Sequence, residues 1–232
     1  MATRFFDILL ASAALLFLSP LTVPLSILLR LTGEGEIFYF QDRVGEGGNN
    51  FKIYKFATML KDSPHLGNGT ITIKNDERIL PVGKFLRLIK INELPQLINI
   101  LFGEMSVIGH RPLIREAYDG YSEEFKIALN ASRPGLSGVG SIVFRHEDEI
   151  LAKVNDPKDF YNNSILPYKE MLERWYIDEK SLSLYFKLIF LTIWGILSLR
   201  TVNIFAWLPT LPKPDAELRK VIFQNEDLEY DA

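Results

Sequence analysis

The feature that most constrains this chain is an unbroken apolar run, ILLASAALLFLSPLTVPLSILL, over residues 8–29, which contains no charged side chain. As a helix of 22 residues, it reaches roughly 33 Å, enough for the hydrocarbon core of a bilayer. A cleaved signal peptide fits less well, because only Arg4 is basic ahead of the run, Asp7 follows it, and the apolar stretch is long. The run therefore predicts a membrane helix.

Two prolines leave the path of that helix through the membrane open. Pro20 and Pro24 each remove a backbone donor and clash with the preceding turn, so a kink is expected near Ser19-Pro20. The hydroxyl of Ser19 can donate to a freed carbonyl. A straight span and a re-entrant hairpin both satisfy these features. The basic residues that place the bulk of the chain on the cytoplasmic side are Arg30, Arg43, Lys52, Lys55 and Lys61.

Composition excludes several classes of protein. With 47% hydrophobic and 24% charged residues among 232, the chain can build a packed core, and general disorder is not expected. The net charge of −3 argues against a globally basic nucleic-acid binder, so we expect no nucleic-acid partner. The absence of cysteine excludes disulfides, thiolate nucleophiles and cysteine metal sites. The sequence also contains no GxxxxGK[ST] or GxGxxG phosphate-binding motif.

The rest of the chain is predicted to be mixed α/β and helix-rich. Short apolar pieces around an EGGNN turn predict a strand pair within residues 36–59. Residues 188–199 are uncharged but only 12 long, which suits an interfacial or buried helix. Segments 61–76 and 132–140 are predicted to be a loop and turns, and the acidic tail after Pro214 to be flexible. Apolar spacing and caps predict further helices over residues 79–90, 92–103, 115–131, 147–155 and 165–180.

The segment KINELPQLINIL, residues 90–101, holds the first candidate for chemistry. Asn92 is predicted to be a helix N-cap, and an acid such as Glu93 in the first turn favours the helix dipole without any catalytic role. Nearby cations favour a second interpretation, in which they hold a diphosphate while Glu93 carries a divalent metal. These cations are Arg43, Lys55, Arg78, Arg87, Lys90, Arg111 and Arg133.

Two histidines are the other candidates. His110 and His146 have side chains suited to binding metals or moving protons, but the sequence lacks the HExxH motif of zinc proteases. The acidic segment RHEDEI at residues 145–150 is interpreted as a solvated helix start rather than a metal site.

Several short stretches form a pattern together with Ser19-Pro20. The run ELPQLINILFGEMSVIGHRP over residues 93–112 is the most specific of them. The others are QDRVG at 41–45, FKIYKFATM at 51–59, ERILPVGKFLR at 77–87 and RPGLSG at 133–138. In these stretches, which spread over roughly residues 1–200, the chain resembles bacterial sugar transferases of the monotopic phosphoglycosyl transferase family.

The resemblance implies an enzyme that moves a sugar 1-phosphate from a UDP-sugar to undecaprenyl phosphate, releases UMP and starts assembly of a surface glycan. It implies a requirement for Mg2+ and a location on the cytoplasmic face of the bacterial inner membrane. The N-terminal helix of family members enters and leaves on the same leaflet and turns at a Ser-Pro pair, here Ser19-Pro20, which favours the re-entrant path. The resemblance specifies neither the sugar nor the oligomeric state.

The family mechanism uses an Asp-Glu pair directly before Leu-Pro-Gln. The aspartate attacks the sugar-bearing phosphate, and the glutamate assists as a metal ligand or base. Glu93 matches the glutamate, but Asn92 occupies the aspartate position, and a neutral amide cannot serve as that nucleophile. Two further departures are His110, in place of a proline, and Ala57, in place of an arginine. The residues that the resemblance assigns to phosphate binding are Lys55, Arg78, Arg87, Arg111 and Arg133.

Three hypotheses follow from Asn92. The chain is an active transferase, with Glu93 as nucleophile or with direct attack by the polyprenyl phosphate; it is a pseudoenzyme that binds substrate; or the asparagine was introduced to disable an active enzyme. The expected architecture is the same in each case. A re-entrant helix occupies residues 1–35, a cytoplasmic transferase domain with interfacial amphipathic helices occupies 36–208, and a polar tail occupies 209–232.

Overall fold

The computed structural model describes residues 2–66, 76–198 and 203–222, and shows a helix-rich α/β chain with two small sheets. The strands are β1 (Phe38–Val44), β2 (Asn50–Phe56), β3 (Ser106–Ile108) and β4 (Gly135–Ser137). The helices up to residue 130 are α1 (Ala2–Leu31), α2 (Pro81–Leu88), α3 (Gln96–Phe102), α4 (Arg115–Asp119) and α5 (Glu123–Asn130). The later helices are α6 (Val139–Val143), α7 (Glu147–Leu151), α8 (Pro157–Phe160), α9 (Leu166–Glu179), α10 (Leu182–Ser198), α11 (Ile204–Trp207) and α12 (Ala216–Ile222).

Helix α1 is long and apolar enough to cross a membrane. Its helical assignment continues through Pro20 and Pro24 without interruption. Because proline has no amide proton, the carbonyl of Leu16 loses the donor that residue 20 would normally supply. The hydroxyl of Ser19 donates to that carbonyl at 2.8 Å, as the sequence predicted. The lost backbone bond is therefore replaced locally.

The N-terminal half of α1 is fastened to the rest of the chain by polar contacts. Arg4 donates to the last carbonyls of α3, including that of Leu101 at 2.9 Å. The buried carboxylate of Asp7 accepts three hydrogen bonds, from the Ser106 hydroxyl at 2.9 Å, the Val107 amide at 2.8 Å and the Tyr185 hydroxyl at 2.9 Å. Helix α1 is thereby joined to α3, β3 and α10.

The predicted strand pair is confirmed as the antiparallel hairpin β1–β2. Alternation along β1 places Tyr39, Gln41 and Arg43 on its half-buried face, and Tyr39 lies opposite Lys55 of β2. The turn Glu46–Gly48 joins the strands with two glycines at positive φ. This face of the hairpin becomes one wall of the candidate site.

The connection between α2 and α3 differs from the prediction. Helix α2 confirms the helix expected over 79–90, but Asn92 does not begin the next one. Residues Ile91–Glu93 form a separate 3-10 turn, called here the acid turn, and α3 begins at Gln96. The cause is Lys90, whose left-handed backbone (φ 60°) ends the previous helix sharply. Gly103, at φ 85°, ends α3 as predicted.

The second sheet is a parallel pair of short strands, β3 and β4. Strand β3 pairs with β4, so the segment 132–140 contains a strand in addition to the predicted turns. The backbones of Gly109 and Gly135 approach so closely that a Cβ on Gly135 would lie 2.0 Å from the Gly109 nitrogen. The helix predicted over 115–131 is divided into α4 and α5, and Ser122 caps the second of them.

The largest hydrophobic core joins β3, α6, α9 and α10 to the C-terminal segment. Leu218 of α12 is buried in it, so the flexibility predicted for the tail after Pro214 is wrong for residues 216–222, which form a helix packed against the domain. Residues 67–75 of the predicted loop and 223–232 of the predicted tail lie outside the described residues. A smaller core joins α1 to β2 and α2 and is described below.

Candidate active site

The acid turn presents two neighbouring side chains in different environments. Glu93 is about a quarter exposed, whereas Asn92 is buried at 6%. Within the described part of the chain, the Asn92 amide oxygen has no hydrogen-bond partner. Lys90, just before the turn, is the one non-glycine residue with positive φ among the residues described. Backbone strain and an unpartnered buried oxygen in one turn are typical of functional sites.

Lys55 is the direct partner of Glu93. The Lys55 Nζ lies 3.1 Å from the Glu93 Oε1, so β2 of the hairpin is tied to the acid turn. Burial by itself would raise the pKa of Glu93, but the positive charges of Lys55, Lys90 and Arg111 outweigh it and lower the pKa to about 2. Glu93 is therefore ionised throughout the physiological range.

Positive charge exceeds negative charge around this carboxylate. Burial first, and then repulsion by Arg111, lowers the pKa of Arg43 to about 10, although Tyr39 and Glu93 act in the opposite direction. Burial likewise lowers the pKa of Lys55 and of Lys90, and Arg111 adds to the decrease in both. Four cations thus converge on the ionised Glu93, and the other acid beside Arg111 is Glu173, whose pKa burial raises to about 7. Such a site favours a ligand with more than one negative charge.

Two of the three guanidinium nitrogens of Arg43 make hydrogen bonds within the protein. Its terminal nitrogens donate to the Gln41 side chain at 2.5 Å and to the Pro112 carbonyl at 3.1 Å. Its Nε is buried and has no partner in the described structure. The sequence signal for Arg43 is the alternation along β1. Every second residue of a strand lies on one face, so Arg43 shares the face of Tyr39, the cross-strand neighbour of Lys55. This residue was among the recognised cations but not among the assigned phosphate-binding residues.

His110 supports the backbone beside the site. It is 3% exposed, and its ring nitrogens lie 3.3 Å from the Arg111 carbonyl and 3.2 Å from the Ser132 carbonyl. Burial lowers the pKa of His110. Because both nitrogens face backbone oxygens, the ring links the segment that carries Arg111 to the segment before β4. That arrangement suits a supporting role better than proton transfer to a ligand.

Arg87 and Arg133, also assigned to phosphate binding, have different surroundings. Arg87 ends α2, and its charge contributes to the lowered pKa of Lys90. Arg133 is partly exposed and pairs with Glu46 of the hairpin turn at 2.9 Å. Ala57 is buried, so the expected family arginine is replaced there by core packing.

Arg78 has a different environment from the other cations. Its guanidinium is buried and bonds both oxygens of Asp76, at 2.8 and 2.6 Å, and the carbonyls of Ser63 and Leu66, each at 2.8 Å. These contacts close the base of the segment between β2 and α2. They favour a structural role for Arg78 over the phosphate contact expected from the sequence.

Two site residues have no clear sequence signal. Arg145 lies near Lys90 and lowers the pKa of that lysine, although its segment was interpreted as a solvated helix start. Glu173 of α9 is 7% exposed, and burial raises its pKa to about 7 despite the nearby Arg111 and Lys169. Both contacts join residues far apart in the chain, and a pattern within one helix does not reveal them.

The acid turn offers two oxygen donors to a divalent metal. No group of three or more His, Cys, Asp or Glu side chains comes together in the described ranges, so an all-protein metal cage is not found there. The Glu93 carboxylate and the unpartnered Asn92 oxygen are nevertheless hard oxygen donors in one turn. Mg2+ is commonly bound by one or two protein oxygens together with substrate phosphates, and these donors fit that pattern.

Comparison with known proteins agrees with this geometry. The profile of the family described as Bacterial sugar transferase matches residues 1–199. The chain belongs to this bacterial sugar transferase family. The match includes α1, the hairpin, the acid turn and the core helices, and therefore the whole candidate site.

Individual members of the bacterial sugar transferase family give the same result. The chain is 36% identical over 177 residues to the exopolysaccharide production protein ExoY of Rhizobium meliloti, covering 70% of this chain and 78% of that protein. It is 37% identical over 161 residues to an Aeromonas hydrophila protein named UDP-N-acetylgalactosamine-undecaprenyl-phosphate N-acetylgalactosaminephosphotransferase, covering 68% of this chain and 38% of the relative.

A third relative is the UDP-glucose:undecaprenyl-phosphate glucose-1-phosphate transferase of Klebsiella pneumoniae, 32% identical over 200 residues, which are 82% of this chain and 39% of that protein. The chain therefore spans less than half the length of the Aeromonas hydrophila and Klebsiella pneumoniae relatives.

Proposed function

We propose that this protein is a phosphoglycosyl transferase that moves a sugar 1-phosphate from a UDP-sugar to undecaprenyl phosphate and releases UMP. The observation that carries the proposal is the cluster of Arg43, Lys55, Lys90 and Arg111 around the carboxylate of Glu93, which lies 3.1 Å from the Lys55 Nζ. A diphosphate supplies the negative charge that this cluster lacks. The names of the family members support the nucleotide-sugar donor and the lipid acceptor.

The cations have a defined role in the proposed reaction. Phosphoryl transfer depends on positioning and on stabilising negative charge, because the transferred group needs little covalent help from the protein. Arg111 and Lys55 would bind the donor diphosphate and stabilise the charge that develops on departing UMP. Mg2+, held by Glu93 and the Asn92 oxygen together with the diphosphate, would neutralise further charge on the phosphates.

Asn92 decides how the transfer starts. An amide carries no negative charge, so residue 92 cannot form the covalent phosphosugar that the family mechanism implies for an aspartate. Glu93 is ionised beside it, and the acceptor phosphate is itself a nucleophile, so transfer proceeds from one of these two groups. The same substitution favours a second candidate function, a pseudoenzyme that binds the substrates without turnover.

The contacts of α1 support a re-entrant path through the membrane. Asp7 near its start and Leu29 near its end are both buried against the same domain. These residues are 22 positions apart, which corresponds to about 33 Å along a straight helix. A helix that crosses the bilayer would place them on opposite faces. The proposed path requires α1, which is continuous helix through Pro20 in the structure, to bend at Ser19-Pro20 in the membrane so that both ends reach the cytoplasmic face.

Helix α10 supports an interfacial position for the domain. Its large apolar side chains Phe190, Ile193, Trp194 and Leu197 are 48%, 52%, 56% and 76% exposed, which is unusual for a water-facing helix. Phe190 also packs against Trp207 with ring centroids 5.4 Å apart. Tryptophan is enriched where apolar chains meet lipid headgroups. The candidate site then lies near the bilayer surface, where a soluble donor and a lipid acceptor can both reach it.

The decisive experiment compares the unchanged chain with Asn92→Asp. Each is incubated with a panel of UDP-sugars, Mg2+ and undecaprenyl phosphate, and UMP release and the intact protein mass are measured. Asn163→Asp is the matched control, because it adds the same charge at an exposed site on another segment. UMP release by the unchanged chain supports transfer without a residue 92 nucleophile.

The other outcomes separate the two candidate functions. If only Asn92→Asp releases UMP and gains the mass of a phosphosugar, the natural substrates are correct and the present chain is a binding protein. If neither version turns over any sugar or binds UDP, the transferase proposal is wrong.

A further inference from the structure

An apolar groove of about 300 Å3 runs beside the C-terminal half of α1. It is lined by Val23, Ser26, Ile27, Arg30, Leu31 and Ile37. Val23, Ile27 and Leu31 follow one another at four-residue spacing, so they form one stripe along the helix. They are 61%, 56% and 79% exposed. The groove is therefore open on the exposed side of α1, and the basic residue Arg30 is part of its lining.

The inner wall of the groove is continuous with the acid turn. Ile37 packs against the small core that contains Leu29 and Phe56. Ile91 and Leu94, which directly precede and follow the Asn92-Glu93 pair, pack against the same core. One apolar surface thus extends from the membrane helix to the backbone that carries the candidate catalytic acid.

The groove also ends close to the cations. Ile37 is two residues before Tyr39, a separation of about 7 Å along an extended chain. Tyr39 lies opposite Lys55 in the hairpin, and Lys55 is the partner of Glu93. At the rim, Arg30 donates to the Gly35 carbonyl at 2.7 Å and keeps its charge beside the opening. A molecule with an apolar chain and an anionic end matches this arrangement.

We propose that the groove holds the isoprenoid chain of the polyprenyl phosphate acceptor, with its phosphate directed to the cations around Glu93. This inference rests on the proposed function and adds the location of the lipid substrate. The groove has about twice the volume of an apolar cavity that accommodates benzene, so it would hold on the order of two isoprene units. The rest of the lipid chain would continue into the bilayer along Val23.

Photo-crosslinking tests the location without requiring turnover. The full chain in bilayer nanodiscs is illuminated with a polyprenyl phosphate that carries a diazirine on an isoprene unit near the phosphate, and labelled peptides are mapped. We expect labels within residues 23–37, removed by excess unlabelled undecaprenyl phosphate but not by the same amount of phosphatidylglycerol. Labels that phosphatidylglycerol removes equally, or that concentrate on α10, would show that the groove holds only bulk lipid.

Two substitutions provide an independent test. Ile27→Trp fills the groove, whereas Leu21→Trp adds the same group to an exposed position of α1 outside it. We expect Ile27→Trp to weaken binding of undecaprenyl phosphate at least tenfold while UDP binding stays unchanged. Equal effects of the two variants on lipid binding would overturn the proposal.

The two proposals fail in distinguishable ways. Intact UDP binding with no competable label in the groove rejects only the lipid site. Absence of UDP binding rejects the transferase function itself, whatever the lipid labels show.

Discussion

The Lys55 ammonium lies 3.1 Å from the Glu93 carboxylate, across the boundary between the hairpin and the acid turn. The two side chains are only 20% and 25% exposed, so their interaction is less screened than a surface ion pair. Lys55 therefore does two things at once. It keeps Glu93 ionised, and it places a positive charge where the proposed diphosphate would bind.

Replacing Lys55 with methionine should remove the charge of the side chain while keeping a side chain of similar length. The variant therefore separates the electrostatic roles of Lys55 from its packing. We expect UDP-sugar affinity to fall about tenfold, equivalent to about 1.4 kcal/mol, as a charge-assisted hydrogen bond to phosphate disappears. Lys61→Met is the control, since Lys61 has the same 3.1 Å pairing distance to Glu36 but is 69% exposed. Titration calorimetry measures both. Equal losses would indicate a general effect of charge rather than a role for Lys55 in the site.

Glu173 gives a prediction about pH. Burial raises its pKa to about 7, above the ordinary glutamate value of 4.5, although Arg111 and Lys169 act in the opposite direction. A raised pKa in the folded state means that stability is lost as pH rises from about 4.5 to about 7. Glu173→Gln removes this loss, so we expect it to stabilise the protein at pH 8 by up to about 3 kcal/mol, with little effect near pH 4. Thermal unfolding at both values checks the sign.

The control for that experiment is Glu170→Gln on the same helix, because Glu170 is partly exposed and pairs with Arg174. It should show no comparable dependence on pH. If Glu173→Gln were less stable than the parent at pH 8, the carboxylate would have to be paired when ionised, contrary to its unpartnered Oε2 in the described structure.

Local patterns predicted the elements that form over short distances. The apolar run predicted α1, the turn glycines predicted the hairpin, and Gly103 predicted the end of α3. The catalytic role of Asn92 and Glu93 stays a prediction, but the helix start predicted at Asn92 was wrong, because α3 begins at Gln96. A left-handed Lys90 costs energy by itself, and no local preference of lysine predicts it.

Contacts between distant segments were the part that the sequence could not supply. The parallel pairing of β3 with β4 joins Ser106 to Gly135, and each strand has only three residues, too few to show a period. The environment of Arg78 is also set by distant groups, since its partners include backbone carbonyls of Ser63 and Leu66. Backbone acceptors have no residue type, so a list of cations does not show which ones are already engaged.

Arg78 supplies the next prediction. Breaking a buried ion pair from one side leaves an uncompensated charge and typically costs 3–5 kcal/mol. We expect Arg78→Met to lower the free energy of unfolding by about that amount while UDP affinity of the folded protein stays within twofold. Loss of affinity without loss of stability would instead restore the phosphate-binding role that the sequence suggested. Denaturant unfolding and calorimetry on the same preparation distinguish the two outcomes.

Asp7 predicts how firmly α1 is held to the domain. Its Oδ1 accepts from Ser106, Val107 and Tyr185, so Asp7→Ala leaves three donors, two of them buried, without their acceptor. We expect a loss of about 3–5 kcal/mol, compared with about 1 kcal/mol for Tyr185→Phe, which removes a single donor. Thermal unfolding in detergent measures both changes. Similar losses for the two variants would mean that the Asp7 carboxylate does not organise the contact.

Ser19 predicts the behaviour of the proposed membrane turn. Its hydroxyl supplies the Leu16 carbonyl with the donor that Pro20 lacks, and an unsatisfied carbonyl is costly in lipid. Ser26→Ala is the matched control on the same helix, because the carbonyl that Ser26 reaches, that of Thr22, has the amide of residue 26 as a helical donor. We expect Ser19→Ala to destabilise the protein in bilayers by about 1–2 kcal/mol and Ser26→Ala by less than half as much.

Cysteine labelling at residue 2 in sealed inverted vesicles then reports the path of α1 through the membrane. Accessibility of residue 2 in both variants supports a helix that returns to the cytoplasmic face. Protection of residue 2 in the unsubstituted background contradicts the re-entrant path.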